Sequence, residues 1–198
     1  MLNQDHTDNR LEWSARIPFD ADDALARLSE SLRRAFRDAF GRPIVVVCVG
    51  SDRATGDSFG PLIGTKLRLH REAINITVYG NLNEPVHAQN LESILADIET
   101  RFRNPFILAV DACLGRFNHI GHITLEKGPL QAGAGVGKQL TAFGDYCLMG
   151  VVNVSGFLEQ VVLQSTRLGL VMQMADLVAE ALEASLKELQ FRHMTAYT

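Results

Sequence analysis

Hydrophobic and polar positions along this chain follow two alternating periods. Residues 1–19 keep no sustained period and read as a flexible arm. From Asp20, which is placed to cap a helix, Leu25, Leu28, Leu32, Ala35, Phe36 and Phe40 recur at threes and fours until Gly41 and Pro43 end the run. That spacing lays an apolar stripe along one helix. Residues 44–49, IVVVCV, are a β-branched run closed by Gly50, the mark of a strand covered on both faces. A polar loop follows, and Ser58-Phe59-Gly60-Pro61 opens a helix to about Arg71, with Pro61 in a first turn where its missing N–H costs nothing. Residues 74–79 predict a second strand, and residues 87–102 a helix with Leu91, Ile94, Leu95 and Ile98 on one face. Residues 106–110 predict a third strand ending at Asp111. Strands alternating with helices of this length build right-handed βαβ units, so the prediction is an α/β domain with a mixed, mostly parallel sheet and helices on both faces. After Asp111 the rhythm changes to a strand over 119–125, the glycine-rich segment GPLQAGAGVGK, a strand over 146–152 and a helical region over 157–189. That last region packs through Leu168, Val171, Met172, Ala175, Leu177, Val178, Leu182 and Leu186.

Length and charge narrow the classes open to such a chain. Its 198 residues, 46% hydrophobic and 21% charged, suffice for one substantial core, which sets residues 20–198 as a single domain. With 19 basic against 23 acidic residues the net charge is -4, and no basic cluster is denser than Arg33-Arg34, so nucleic acid is not an expected partner. The apolar runs fall far short of the roughly 20 residues that cross a bilayer. The first twenty residues hold no apolar signal core, so the expected location is the cytoplasm, with no membrane partner. Cys48, Cys113 and Cys147 sit in or beside apolar runs, and an odd count without a secretory signal predicts reduced thiols rather than a disulfide framework.

The chemistry to look for follows from the sheet. Ligands of doubly wound sheets bind beyond the carboxyl ends of the parallel strands. Asp57 follows the first strand and Asp111 the third, so neighbouring strands would bring two carboxylates together. Two such groups in a partly desolvated site do not both ionise cheaply, and the pair offers a base beside a proton donor near neutral pH. The alternative is that Asp57 caps a helix and Asp111 ties down a loop. The glycine segment fails as a P-loop, since Ala132 stands where the first glycine is required and Gln139 follows Lys138. Its backbone amides around Gly133, Gly135, Gly137 and Lys138 instead suit an extended peptide or an oxyanion, or make a plain turn. On an ideal strand His119 and His122 lie on opposite faces and form no ligand pair, whereas His87 stands near a helix start and could face the crevice.

Four segments, GSDRATGDSFGP, AVDACLGR, GPLQAGAGVGK and STRLGLVMQMADLV, together resemble the YyaC-type sporulation proteins of endospore-forming bacteria, over residues 44–189. That family is related to the spore germination protease and more remotely to the hydrogenase maturation endopeptidases. The resemblance implies a three-layer α/β/α fold of the phosphorylase/hydrolase-like type. It implies that Asp57 and Asp111 stand where two aspartates act in the germination protease, and it places the protein in the forespore or spore interior. The maturation endopeptidases join such acidic residues to a metal through a histidine, and no histidine here aligns with that third ligand. No cofactor is therefore expected, with a divalent metal at Asp57 and Asp111 left open.

The expectation is thus a spore-associated peptidase using Asp57 and Asp111, with Ser58, Arg116, Gly133, Gly135, Gly137 and Lys138 on the substrate. Its partner would be a peptide or protein, such as a spore protein, with a homo-oligomer also open. The alternatives are a non-catalytic binding or assembly factor, which would use Phe59, Asn83, Glu84, Pro85 and Arg116, and a metal-dependent maturation endopeptidase.

Overall fold

The computed structural model describes residues 14–69, 76–131 and 141–195. In chain order the elements are β1 (Ser14–Pro18), α1 (Ala24–Phe36), β2 (Ile44–Cys48), α2 (Phe59–Leu69), β3 (Thr77–Tyr79) and α3 (Leu91–Arg101). They continue with β4 (Phe106–Gly115), β5 (His122–Lys127), β6 (Tyr146–Val154), α4 (Glu159–Gln164) and α5 (Leu168–Thr195). The strands form one sheet in the order β1-β5-β6-β4-β2-β3. β2, β3, β4 and β6 run parallel, while β5 runs against both β6 and β1.

Two hydrophobic clusters flank the sheet and make three layers. Val46, Cys48, Leu108, Val110, Leu148 and Val152 face α1, α2 and α5, which contribute Leu28, Leu32, Phe36, Ile63, Leu67, Val171, Val178 and Leu182. The alternate positions Val45, Val47, Ala109 and Cys147 face α3, through Leu91 and Ile98, and the neighbouring Leu130 and Phe143. The continuous apolar runs of β2 and β4 are the consequence, since each successive residue enters a different layer. The α/β/α expectation therefore holds.

Several boundaries differ from the sequence reading for identifiable reasons. Ser14–Pro18, read as part of an arm, pairs with β5 in antiparallel register and buries Ile17. The apolar stripe of α1 stops at Phe36; residues 37–39 tighten into a 3-10 turn, and Phe40 is 74% exposed instead of completing the stripe. α3 begins at Leu91, because the His87 N–H is taken by the Asn90 side chain at 2.8 Å in a turn that precedes the helix. β5 begins at His122 rather than His119, since residues 117–119 form a 3-10 turn and Gly121 adopts φ 85. The C-terminal helical region is two helices, α4 and α5, broken at Ser165–Arg167, and Leu168 is exposed. The largest difference is β4, which runs five residues beyond Val110, to Gly115.

Candidate functional site

The crossovers set where a site can form. β2 leads through α2 to β3 on one side, whereas the chain leaving β4 goes to the β5 and β6 side. Loops diverge between β2 and β4, which is the topological switch point where open α/β sheets hold ligands. Asp57 lies just after β2 and Asp111 in β4, one on each side of that point. Asp111 does not end its strand as the sequence reading had it. The last β2–β4 pair is Cys48 with Val110, so Asp111 is the first β4 residue beyond the reach of β2, and it pairs on its other side with Met149 of β6.

The segment carrying Asp57 is folded tightly by its own backbone. Val49 N–H donates to Val110 O at 2.7 Å and Gly50 N–H to Val86 O at 2.8 Å, which ties the end of β2 to both neighbours. Ser51 N–H then reaches Asp57 O at 3.1 Å. Gly50, at φ 131, has room for no side chain: a Cβ there would stand 2.0 Å from Asp57 O. Gly56 is held from behind by α4, and a Cβ on it would meet Leu163 at 2.8 Å and Thr166 at 3.0 Å. Thr166 is itself fixed, since Asn153 of β6 donates to its Oγ1 at 3.1 Å. Both faces of the Asp57 turn are thus braced by the sheet and by α4.

Asp57 perturbs the carboxyl of Asp111. Burial, followed by the charge of Asp57, pushes Asp111 up to about 7, against the opposing hydrogen bond from Ala112 N–H to its Oδ1 at 2.8 Å. Asp57 is also raised by burial, but Ser51 N–H and the nearby His87 pull it back toward the ionised form. Asp111 therefore titrates near neutral pH, and the charge of Asp57 beside it favours its protonated form. His87 reaches this site because the Val49–Val86 bridge brings its loop to the end of β2. Among the described residues no three His, Cys, Asp or Glu side chains gather as a metal-binding group.

The other expected site residues are distributed unevenly. Ser58 is buried and its hydroxyl donates to Thr55 O at 2.6 Å, so it serves the turn and does not face a substrate. Arg116 is exposed directly after β4. Gly133, Gly135, Gly137 and Lys138 lie outside the described residues. Phe59, named as a recognition residue for a binding factor, is 0% exposed and lies under Gly150, where a Cβ would stand 2.7 Å from its ring. Of the other binding-factor residues, Glu84 accepts from Arg68 at 2.7 Å. The thiols are unreactive as nucleophiles: burial pushes Cys48 and Cys113 up to about 12 and Cys147 to about 11. His119 and His122 stand closer than an ideal strand allows, with ring centroids 5.6 Å apart, because His119 belongs to the turn before β5.

Comparison with known proteins agrees with the segment resemblance. A profile of the family described as Protein of unknown function (DUF1256) matches residues 16–181. The uncharacterized protein YyaC of Bacillus subtilis strain 168 is 50% identical over 159 residues, covering 80% of this chain and 77% of its own. Among solved structures, the NiFe hydrogenase maturation protease HycI from Thermococcus kodakarensis KOD1 aligns with 77% of this chain and 99% of its own. That alignment has a TM-score of 0.48 at 16% identity. Among the described residues no helix is long and apolar enough to cross a membrane.

Proposed function

We propose peptide-bond hydrolysis as the activity of this chain, which belongs to the family described as Protein of unknown function (DUF1256). The observation that carries the reading is the carboxyl pair at the switch point, one on each side of it, with Asp111 raised to about 7 by burial and by the charge of Asp57. A water held between them loses its proton to Asp57 as its oxygen bonds to the scissile carbonyl carbon. Asp111 gives its proton to the amide nitrogen as the carbon–nitrogen bond breaks, leaving a free carboxyl and a free amine. One acid and one base near their working pH suffice for this, and neither thiol nor hydroxyl nucleophile is needed. The resemblance to sporulation proteins adds a spore protein as the natural substrate and the forespore as its setting.

The test is incubation of the purified chain with a mixture of spore-protein peptides, read by mass spectrometry. Asp57→Asn and Asp111→Asn are each expected to slow cleavage by about 10²-fold or more, the usual contribution of an acid–base group. Circular dichroism of both variants should match the parent. Unchanged turnover in either variant overturns the assignment. Peptides that bind but stay intact with the parent chain would support the assembly-factor reading instead.

A further inference from the structure

The sheet face that carries Asp111 also carries a row of side chains that hydrolysis leaves unused. Register sets Arg16 of β1 opposite Thr124 of β5, Thr124 opposite Met149 of β6, and Met149 opposite Asp111 of β4. Their chain neighbours Ile17, Ile123, Leu125, Leu148 and Val110 are all buried in the cluster under α1, α2 and α5. Strand side chains alternate, so the four residues of the row project from the opposite face. Three strand spacings, about 14 Å in all, separate the two ends of the row.

Two independent features distinguish this row from an ordinary sheet surface. Thr124 is 5% exposed, and its Oγ1 has no hydrogen-bond partner among the described residues. Buried hydroxyls in folded proteins are almost always paired, so this one is a polar group waiting for a ligand atom. The residues beside it, Met149 and Arg16, are long and unbranched and can swing aside to admit one. The second feature is a cationic corner. On the Cys113 thiol, burial and the charges of Asp111 and Glu126 outweigh the opposing pull of Arg16; on His119, after burial, Arg16 joins His122 and Arg116 in lowering its pKa. Arg16 is thus within electrostatic range of the end of β4 and of His119. Arg16 and Arg116 are both exposed there, although the chain as a whole carries a net charge of -4.

We propose that the row Arg16–Thr124–Met149–Asp111 is a substrate subsite that binds an extended acidic peptide segment, with a main-chain amide on Thr124 Oγ1 and an Asp or Glu side chain on Arg16. The proposal rests on the hydrolase reading for the position of the scissile bond at Asp111. An extended chain advances about 3.4 Å per residue, so about 14 Å is four residues, and the long reach of an arginine side chain shortens it. The acidic residue then lies roughly two to four residues from the cleaved bond. A guanidinium–carboxylate contact is charge-assisted and bidentate, which gives it selectivity over an amide.

The experiment uses full-length chain and blocked synthetic peptides that carry Asp, Asn or Lys at each position around a fixed apolar centre. Binding is measured by fluorescence anisotropy with the Asp57→Asn variant, and cleavage by mass spectrometry with the parent. The expected result is about tenfold tighter binding of Asp peptides than of their Asn or Lys counterparts at one position. Arg16→Gln should abolish that preference, Arg16→Lys should restore part of it, and Thr124→Val should weaken all peptides alike. Peptide binding without an acidic preference, a preference that survives Arg16→Gln, or no peptide binding at all would each overturn the subsite. If the parent cleaves nothing while the Arg16-dependent preference persists, the hydrolase reading fails and the subsite stands. If cleavage proceeds without the preference, the subsite fails alone.

Discussion

Asp111 leaves a signature on stability as well as on chemistry. Its carboxyl is raised from 3.8 to about 7 in the fold. A raised pKa means that the stability it adds is fully present below the unfolded value and is lost as pH climbs through the folded one. Between about pH 4 and 7 the unfolded chain releases its proton while the folded chain resists, and the fold weakens. Asp111→Asn is expected to remove this slope. Urea denaturation should find the variant more stable than the parent at about pH 8, by on the order of a few kcal/mol, and equal to it near pH 4. A like slope in both proteins would contradict the perturbed carboxyl. Thr124 makes a second prediction of opposite use: Thr124→Val replaces an unpaired buried hydroxyl by a methyl group of the same shape. It should raise stability by about 1 kcal/mol while weakening peptide binding. Asp111 was legible in the sequence because a carboxylate at the end of an apolar run is conspicuous. Thr124 was not, because HITLEK reads as a common alternating strand; its missing partner depends on Arg16 and Met149 standing opposite, and register alone decides that.

Helix α2 lies unusually close to the strand ends through its glycines. A Cβ on Gly64 would stand 1.8 Å from the carbonyl oxygen of Gly80, and one on Gly60 would stand 2.1 Å from that of Val49. Alanine in a helix interior ordinarily gains about 1 kcal/mol over glycine. Here the contact is with backbone, which cannot yield, so Gly64→Ala should instead cost about 2 kcal/mol or more. A thermal melt decides between the two, since a raised midpoint would show that α2 stands farther from β3 than described. Elements with strong periods, such as α1, β2 and α3, were legible because their apolar residues define one face. Their ends were less so. The extension of β4 through Asp111–Gly115 is polar or half-buried and depends on pairing with β6, which no local pattern announces. The break between α4 and α5 is likewise set by α4 docking against the Asp57 turn, a contact distant in sequence from the helical pattern itself.

The whole sheet depends on a short strand at its margin. β1 gives β5 five register pairs, buries Ile17 and packs on α1. A chain lacking residues 1–18 would leave β5 as an uncovered edge, the usual template for association. It is expected to lose on the order of a few kcal/mol in urea denaturation and to associate in light scattering. A monomeric truncation of parental stability would show that β1 is dispensable. The α/β class and the alternation of helix and strand were legible, because burial on two faces leaves continuous apolar runs. The strand order was not, since a segment as brief and half-exposed as Ser14–Pro18 carries little period, and its place beside β5 follows only from the closed fold. The unequal lengths of β2 and β4 have a mechanical outcome. Asp111 is locked into the ladder with β6, whereas its counterpart rides on a turn. Both carboxyls are held, one by strand pairing and the other by the close packing of α4 behind its turn, so loosening α4 would displace one partner of the acid pair and leave the other where it is.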